Sequence, residues 1–412
     1  MILKAPRNKS NLTLKTRLIW RFAFMSMLAG ALLIVGRAQA DTLGFTLNAT
    51  AAPGTAAEDM SILVLDEATA RMDPVTEARV VRAADRLLSH RTGIVVIGRN
   101  EGERLRRCLA SVSTQSPNVV YVDSGSTDGS IDMAAALGVQ VHALELRQPF
   151  TAARARNAGA RVLQAQAPAP GYLQFVDGDC EVAPTWIDTA ARFLDAHPQV
   201  AAVCGRRRER HPERSIYNRL CDLEWDTPIG ETKACGGDVL MRAAALHQVG
   251  GYHDDLVAGE EPELCVRLRA AGWKIFRLDA EMTLHDAAMT RFDQWWRRCM
   301  RAGFAYAEGA CLHGAPPERH WVREMRSALL WGTAIPLLLL VGSAALGPSA
   351  LIGFAIYPLQ VLRLGLRAAG TQQARWMRAF FLVAGKLPEA VGVIKSWLQR
   401  ARGRPAALIE YK

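Results

Sequence analysis

The sequence predicts an α/β fold, a doubly wound Rossmann-like sheet followed by C-terminal transmembrane helices. Three observations carry this. Apolar runs rich in β-branched residues alternate with helical spacing from Gly93 onward, two of those runs end in a carboxylate, and 36 consecutive residues from Ser327 to Leu362 carry no charged side chain. At 412 residues, 50% hydrophobic and 22% charged, the chain has material for one large or two ordinary domains. That excludes a disordered segment, a collagen and a disulfide miniprotein.

The elements follow in order. Gly93 to Gly98 is a short apolar strand, and Glu101 to Gln115 has helical spacing with Leu105, Leu109 and Val112 on one side. A strand at Val119 to Val122, a helix from Asp128 to Leu137 and a strand at Val139 to Ala143 come next. A helix over Ala152 to Gln164 then leads to a strand at Gly171 to Val176. Strands recurring with helices between them argue a parallel sheet, whose chemistry sits at the carboxyl ends of the strands.

The formal net charge of +10 divides unevenly along the chain. Residues 1–40 carry seven Lys/Arg and no acid, and residues 363–412 carry ten against Glu389 and Glu410, so residues 41–362 hold 10 − 7 − 8 = −5. A body without basic excess argues against nucleic acid as a partner. Basic tails beside apolar stretches are the pattern of a chain oriented on an anionic membrane face.

The uncharged run is nearly twice the roughly 20 residues that one helical span needs. With Gly347-Pro348-Ser349 as a turn, residues 327–366 read as a transmembrane helical hairpin, with a buried soluble helix pair as the alternative. Arg323 and Arg326 on one flank, and Arg363 and Arg367 on the other, place both ends in the cytoplasm. Residues 367–412 form a basic tail in which Trp376 to Ile394, interrupted by Lys386, Pro388 and Glu389, reads as interfacial or re-entrant.

Residues 1–40 combine a basic leader, 15 uncharged residues from Phe22 to Gly36, and Ala38-Gln39-Ala40. This layout suits a cleaved signal peptide, an uncleaved anchor or a mis-assigned start. Residues 41–92 read as a linker. Within it, Ser61 to Pro74, with Asp66-Glu67 and Asp73, resembles the Walker B strand and D-loop of ABC-transporter ATPases. No GxxxxGK[ST] loop exists in the chain, so ATP hydrolysis is not expected. Eight cysteines without a CxxC pair exclude a zinc ribbon or a thioredoxin-type centre by spacing, and suit a reducing compartment.

Two predicted strands end in acid, Val122-Asp123 and Val176-Asp177, and the second continues as Asp177-Gly178-Asp179. Two carboxylates one residue apart around a flexible glycine can turn their oxygens toward one hard cation, and such a cation holds a diphosphate.

With these residues in view, 93–325 resembles a family 2 glycosyltransferase of the GT-A fold, the nucleotide-diphospho-sugar transferase architecture. The matching pieces are Arg99-Asn100-Glu101, Asp123-Ser124-Gly125-Ser126-Thr127-Asp128-Gly129, Ala155-Arg156-Asn157-Ala158-Gly159, Asp177-Gly178-Asp179, Gly236-Gly237-Asp238, Gly259-Glu260-Glu261 with Glu263-Leu264, and Gln294-Trp295-Trp296-Arg297-Arg298. The resemblance implies inverting transfer of a sugar from a nucleotide-diphospho-sugar donor to a cell-envelope glycan or lipid-linked acceptor, at the inner membrane with the catalytic domain facing the cytoplasm. A catalytically silent scaffold is the alternative, and an ABC-type ATPase component a remoter one.

The resemblance also implies roles. Asp123 meets the nucleotide base, although many members carry a second Asp where this chain has Ser124. Arg156 neighbours the donor diphosphate, Asp177 and Asp179 bind Mg²⁺ or Mn²⁺, and His285 joins that metal or serves as a structural histidine. Gly236 and Gly237 let the backbone approach the sugar. Glu260-Glu261 stands where the family has Glu-Asp, and its second carboxylate commonly takes the acceptor's proton; either glutamate can serve, with Glu261 favoured. Trp225, Trp295 and Trp296 offer stacking faces to an acceptor, with core packing or membrane seating as the alternative for the last two. Gln294 to Arg298 departs from the QxxRW motif of processive synthases, so a processive polymerase is not expected.

Overall fold

A computed structural model describes residues 92–403, save 146 and 167. The leader and the ABC-like fragment, expected within residues 1–91, lie outside the described residues. The described chain opens with β1 (Thr92–Gly98), α1 (Glu103–Ser113), β2 (Val119–Asp123), α2 (Ser130–Ala136), β3 (Gln140–Ala143), α3 (Ala152–Gln164) and β4 (Tyr172–Asp177). Every element expected up to residue 176 is present within two residues at each end.

The sheet then departs from the expected all-parallel form. β5 (Cys180–Val182), α4 (Trp186–Ala196), β6 (Val200–Glu209), α5 (Ile216–Glu224), β7 (Gly230–Glu231), β8 (Val239–Arg242), α6 (Ala243–Gln248), α7 (Glu260–Ala270) and β9 (Lys274–His285) complete a nine-stranded sheet of order β3-β2-β1-β4-β8-β6-β9-β5, with β7 beside β9. β1 is parallel to β2 and β4, and β2 to β3, but β8 runs antiparallel between β4 and β6. β6 and β9 are again parallel. Between β7 and β8 the chain passes through Gly236, at φ 97°, and Val239–Arg242 then pairs antiparallel beside β4.

Apolar side chains cover both faces. Leu105, Leu109 and Trp186 pack on one, Leu163, Leu264 and Leu268 on the other. Burial of each such leucine contributes about 1.5 to 3 kcal/mol. Gly159 brings α3 against the sheet, because a Cβ there would lie 2.3 Å from Val95 Cγ1. Strand order 3-2-1-4 reverses direction at β1 and β4, so the crevice of a doubly wound sheet opens at their carboxyl ends.

The remaining elements are helical. α8 (Phe292–His313) and α9 (Val322–Leu329) lead through a π-helical turn into α10 (Ile335–Leu346); a 3₁₀ stretch (Pro348–Ala355) leads into α11 (Ile356–Arg367). Val322–Ala345 and Pro348–Arg367 are long and apolar enough to cross a membrane, and their side chains are largely unburied by protein. Gly347, at φ 95°, makes the turn between them where Gly-Pro was read. α12 (Gln372–Ala384) and α13 (Lys386–Ala401) cover the segment read as interfacial. α13 lies tightly along α8: a Cβ at Gly303 would stand 1.9 Å from the Glu389 carbonyl oxygen, and one at Gly392 would stand 2.0 Å from that of Met300. Its outer side leaves Leu387, Val391 and Leu398 exposed.

Candidate active site

Parallel pairing brings the acidic strand ends together. Gly98 pairs with Asp123 and Ile97 with Asp177, so the two aspartates flank the end of β1. Asp123 is buried, and its turn occupies it: Oδ1 accepts from the Tyr121 hydroxyl at 2.7 Å, and Oδ2 from the Gly125 and Ser126 amides at 2.8 Å. That network fixes the loop that follows β2 at the edge of the crevice.

Arg156 is the hub of the site. Thr151 caps α3 by accepting from the Arg154 amide, which sets the helix start and turns Arg156 inward to 2% exposure. Its Nη1 donates to Glu260 Oε1 at 2.7 Å and its Nη2 to Asp177 Oδ1 at 2.8 Å. Arg207, at the end of β6, donates from Nη2 to Asp177 Oδ2 at 3.2 Å and from Nε to Asp238 Oδ2 at 2.9 Å. Burial works against both guanidinium charges, and the surrounding carboxylates more than offset it, so both stay protonated. Gly237 closes on this pair, since a Cβ there would lie 2.6 Å from Arg156 Nη2 and 3.1 Å from Asp177 Oδ2.

Asp179 and His285 meet one step along. His285 Nε2 stands 3.3 Å from Asp179 Oδ2, and ligand atoms of Asp179, Cys180 and His285 all lie within 4.8 Å of one another. His285 Nδ1 is buried with no hydrogen-bond partner, 3.8 Å from Glu209 Oε2. Trp225 covers the imidazole edge-on at 4.7 Å between ring centroids. Carboxylate and imidazole donors in one buried corner fit a divalent cation of the Mn²⁺ class. Asp177, facing Arg156 and Arg207, borders that corner from the opposite strand end.

Glu260 and Glu261 open α7 behind Gly259, whose φ of 79° suits glycine. They point in different directions. Glu260 faces the crevice and is held by Arg156. Glu261 is 2% exposed; its Oε1 accepts from the Cys235 amide at 2.6 Å and from the Cys265 thiol at 2.8 Å, while Oε2 has no hydrogen-bond partner. Burial, aided by the charge of Glu260 and opposed by these hydrogen bonds, raises its pKa above the ordinary 4.5.

Asp123, Arg156, Asp177, Asp179, Glu260, Gly237 and His285 therefore gather in one crevice, with Trp225 at its edge. Trp295 does not. It is 2% exposed and packs against Tyr217 and Phe381, so it offers no face to an acceptor, and the core-packing alternative holds for it. Trp296 is half-buried beside the same cluster and against Phe292. Sequence reasoning gave no role to Arg207, Glu209 or Asp238. The run Arg206-Arg207-Arg208-Glu209-Arg210 closing an apolar strand was the available signal. Asp238 Oδ1 accepts from the Asp177 amide at 3.0 Å and its Oδ2 from the Thr283 hydroxyl at 2.8 Å, locking β4 to β9.

Residues 93–238 match the glycosyl transferase family 2. The matched segment is 146 of the 412 residues. Over 240 residues the chain is 26% identical to a pre-mycofactocin glycosyltransferase of Mycobacterium tuberculosis, covering 55% of this chain and 49% of that protein. It thus spans about half the length of that relative. A TPR repeat-containing protein of Synechococcus elongatus is 31% identical over 137 residues, covering 33% of this chain and 32% of its own. Among solved structures, a mannosyltransferase from Pyrobaculum calidifontis in complex with GDP-Man and Mn²⁺ superposes with a TM-score of 0.54 at 18% identity, covering 82% of this chain and 100% of that one. The α/β domain has the GT-A fold.

Proposed function

We propose that the chain is a membrane-attached, metal-dependent, inverting glycosyltransferase that moves a sugar from a nucleotide-diphospho-sugar to a cell-envelope glycan or lipid-linked acceptor. The observation that carries this reading is the meeting of Asp177, Asp179 and Glu260 in one crevice, two of them joined through Arg156, with Glu261 directly behind. A diphosphate needs fixed positive charge, and a sugar hydroxyl needs a base. Both lie within the same strand ends.

Asp179 and His285, with Asp177 beside them, would hold Mn²⁺ or Mg²⁺. When bound, that ion supplies charge neutralisation for the departing diphosphate. The chain's own residues do the rest. Asp123 and its turn shape the base end, and Arg156 and Arg207 hold the carboxylates that face the phosphates. Gly237 lets the donor approach the backbone. Glu261 is the proposed base: its pKa is raised and one oxygen is free to accept, whereas Glu260 is committed to Arg156. Trp225 borders the acceptor end.

The test is a panel of nucleotide sugars offered to the detergent-purified full chain, with Mn²⁺ tried first and chelator as the contrast, read as nucleoside diphosphate release. One donor turned over with metal and lost in Asp179→Asn supports the reading. No turnover of any donor, together with an unchanged cellular glycan profile in an Asp177→Asn/Asp179→Asn strain, assigns the chain to the silent scaffold instead.

A further inference from the structure

Behind the glycine pair, three thiols and a carboxylate come together from three elements of the fold. Cys204 lies in β6, Cys235 directly precedes Gly236, and Cys265 stands four residues after Glu261 on α7. Cys235 packs against the two core clusters that contain Cys204 and Cys265. Ligand atoms of Cys235, Glu261 and Cys265 all lie within 4.8 Å of one another, and the Cys265 thiol donates to Glu261 Oε1 at 2.8 Å. The second Glu261 oxygen is buried and without a hydrogen-bond partner, although a carboxylate in such a place ordinarily has one.

We infer that Cys235, Cys265 and Glu261, with water as the fourth ligand, form a binding site for a thiophilic divalent cation of the Zn²⁺ class, separate from the corner of Asp179, Cys180 and His285. Zinc takes four ligands at about 2.3 Å from sulfur and about 2.0 to 2.2 Å from oxygen, which puts tetrahedral donors roughly 3.5 to 3.8 Å apart. Each ligating thiol releases its proton to solvent as the ion enters, and no electron is transferred. Cys235 is half-buried and Gly236 beside it is exposed, so this side of the cluster faces solvent. Occupancy ties the glycine loop to α7 and engages the Glu261 carboxylate, so the ion inhibits sugar transfer. That consequence rests on the proposed function; binding itself does not.

The experiment is a Cd²⁺ titration of the reduced, chelator-stripped full chain in detergent, read by the ultraviolet thiolate-to-cadmium charge-transfer band, with Zn²⁺ as competitor. The expected result is a band displaced by Zn²⁺ and retained in Cys311→Ala and in Cys180→Ala, the latter saturating at one Cd²⁺ per chain. Cys265→Ala weakens binding beyond the roughly 10- to 100-fold that outer-shell changes cost. Cys235→Ala, at a half-buried position, does the same and decides the matter if Cys265→Ala does not fold. A band that is absent, or that survives Cys235→Ala unchanged, overturns the site. If Zn²⁺ inhibits donor turnover in the parent chain but not in Cys235→Ala, the inhibitory role holds. If no donor is turned over, the proposed function fails while the cadmium band still answers for the site.

Discussion

Two adjacent glutamates on one helix are pulled into different chemistry by a rotation of about 100° per residue. Glu260 meets Arg156 in the crevice, and Glu261 lies directly behind it, where burial raises its pKa. As the base it must be deprotonated, so turnover rises with pH through that raised value and is lost below it. Glu261→Gln is expected to lower kcat by roughly 10² to 10⁴-fold, the range of general-base contributions, and to remove the acidic limb of the pH profile. In Glu260→Gln a charge that raises the Glu261 pKa is gone, so the limb moves to lower pH. A profile unmoved in both variants would assign the proton to another group. Asp123 and Asp177 were legible in the sequence because each closes an apolar run, and Asp179 because it completes Asp177-Gly178-Asp179. Arg207 and Glu209 were not, since their places depend on β6 pairing in parallel with β9, where Glu209 lies opposite His285 at a separation no local pattern encodes. The three clustered thiols were equally hidden, spaced 31 and 30 residues apart at 204, 235 and 265.

At the scale of elements, alternation was readable while strands were long enough to show it. Four-residue β8 was too short for periodicity to mark, and with it went the antiparallel half of the sheet. The helices after residue 367 show a different limit. Their composition, broken by Lys386, Pro388 and Glu389, reads as a surface segment, yet a seam of small residues seats α13 against α8 and the start of the first apolar span. Gly303 and Gly392 meet carbonyl oxygens at this seam, and a Cβ at Gly332 would lie 2.0 Å from the Lys386 oxygen. Backbones this close leave no room for a methyl group. Gly392→Ala is therefore expected to destabilise the fold by about 1 to 3 kcal/mol, the usual cost of overpacking, seen as a lower midpoint in thermal unfolding in detergent. The same change at Gly342, where the nearest atom to a Cβ is 3.6 Å away, is the control and should leave the midpoint in place. Equal midpoints in both variants would mean that α13 is not held against α8 in the way described.

For the whole molecule, the distribution of charge and the place of the apolar spans set the side of the membrane that the α/β domain faces under the proposed function. A nucleotide-sugar donor is made in the cytosol, and the basic residues flanking Val322–Ala345 and Pro348–Arg367 favour the same side for both ends of the hairpin. A cleaved secretory leader at residues 1–40 would send the domain across instead. The protein carries its own reporter of the answer. Of its eight cysteines, all within the described residues, only Cys311 is exposed, on α8 near the end of the domain that leads into the first span. A membrane-impermeant maleimide applied to intact cells or spheroplasts expressing the full chain should leave it unmodified. The same reagent after permeabilisation should add one label, absent in Cys311→Ala. Labelling in intact cells would place the crevice outside, away from any cytosolic sugar nucleotide, and the transferase reading would fall with the orientation.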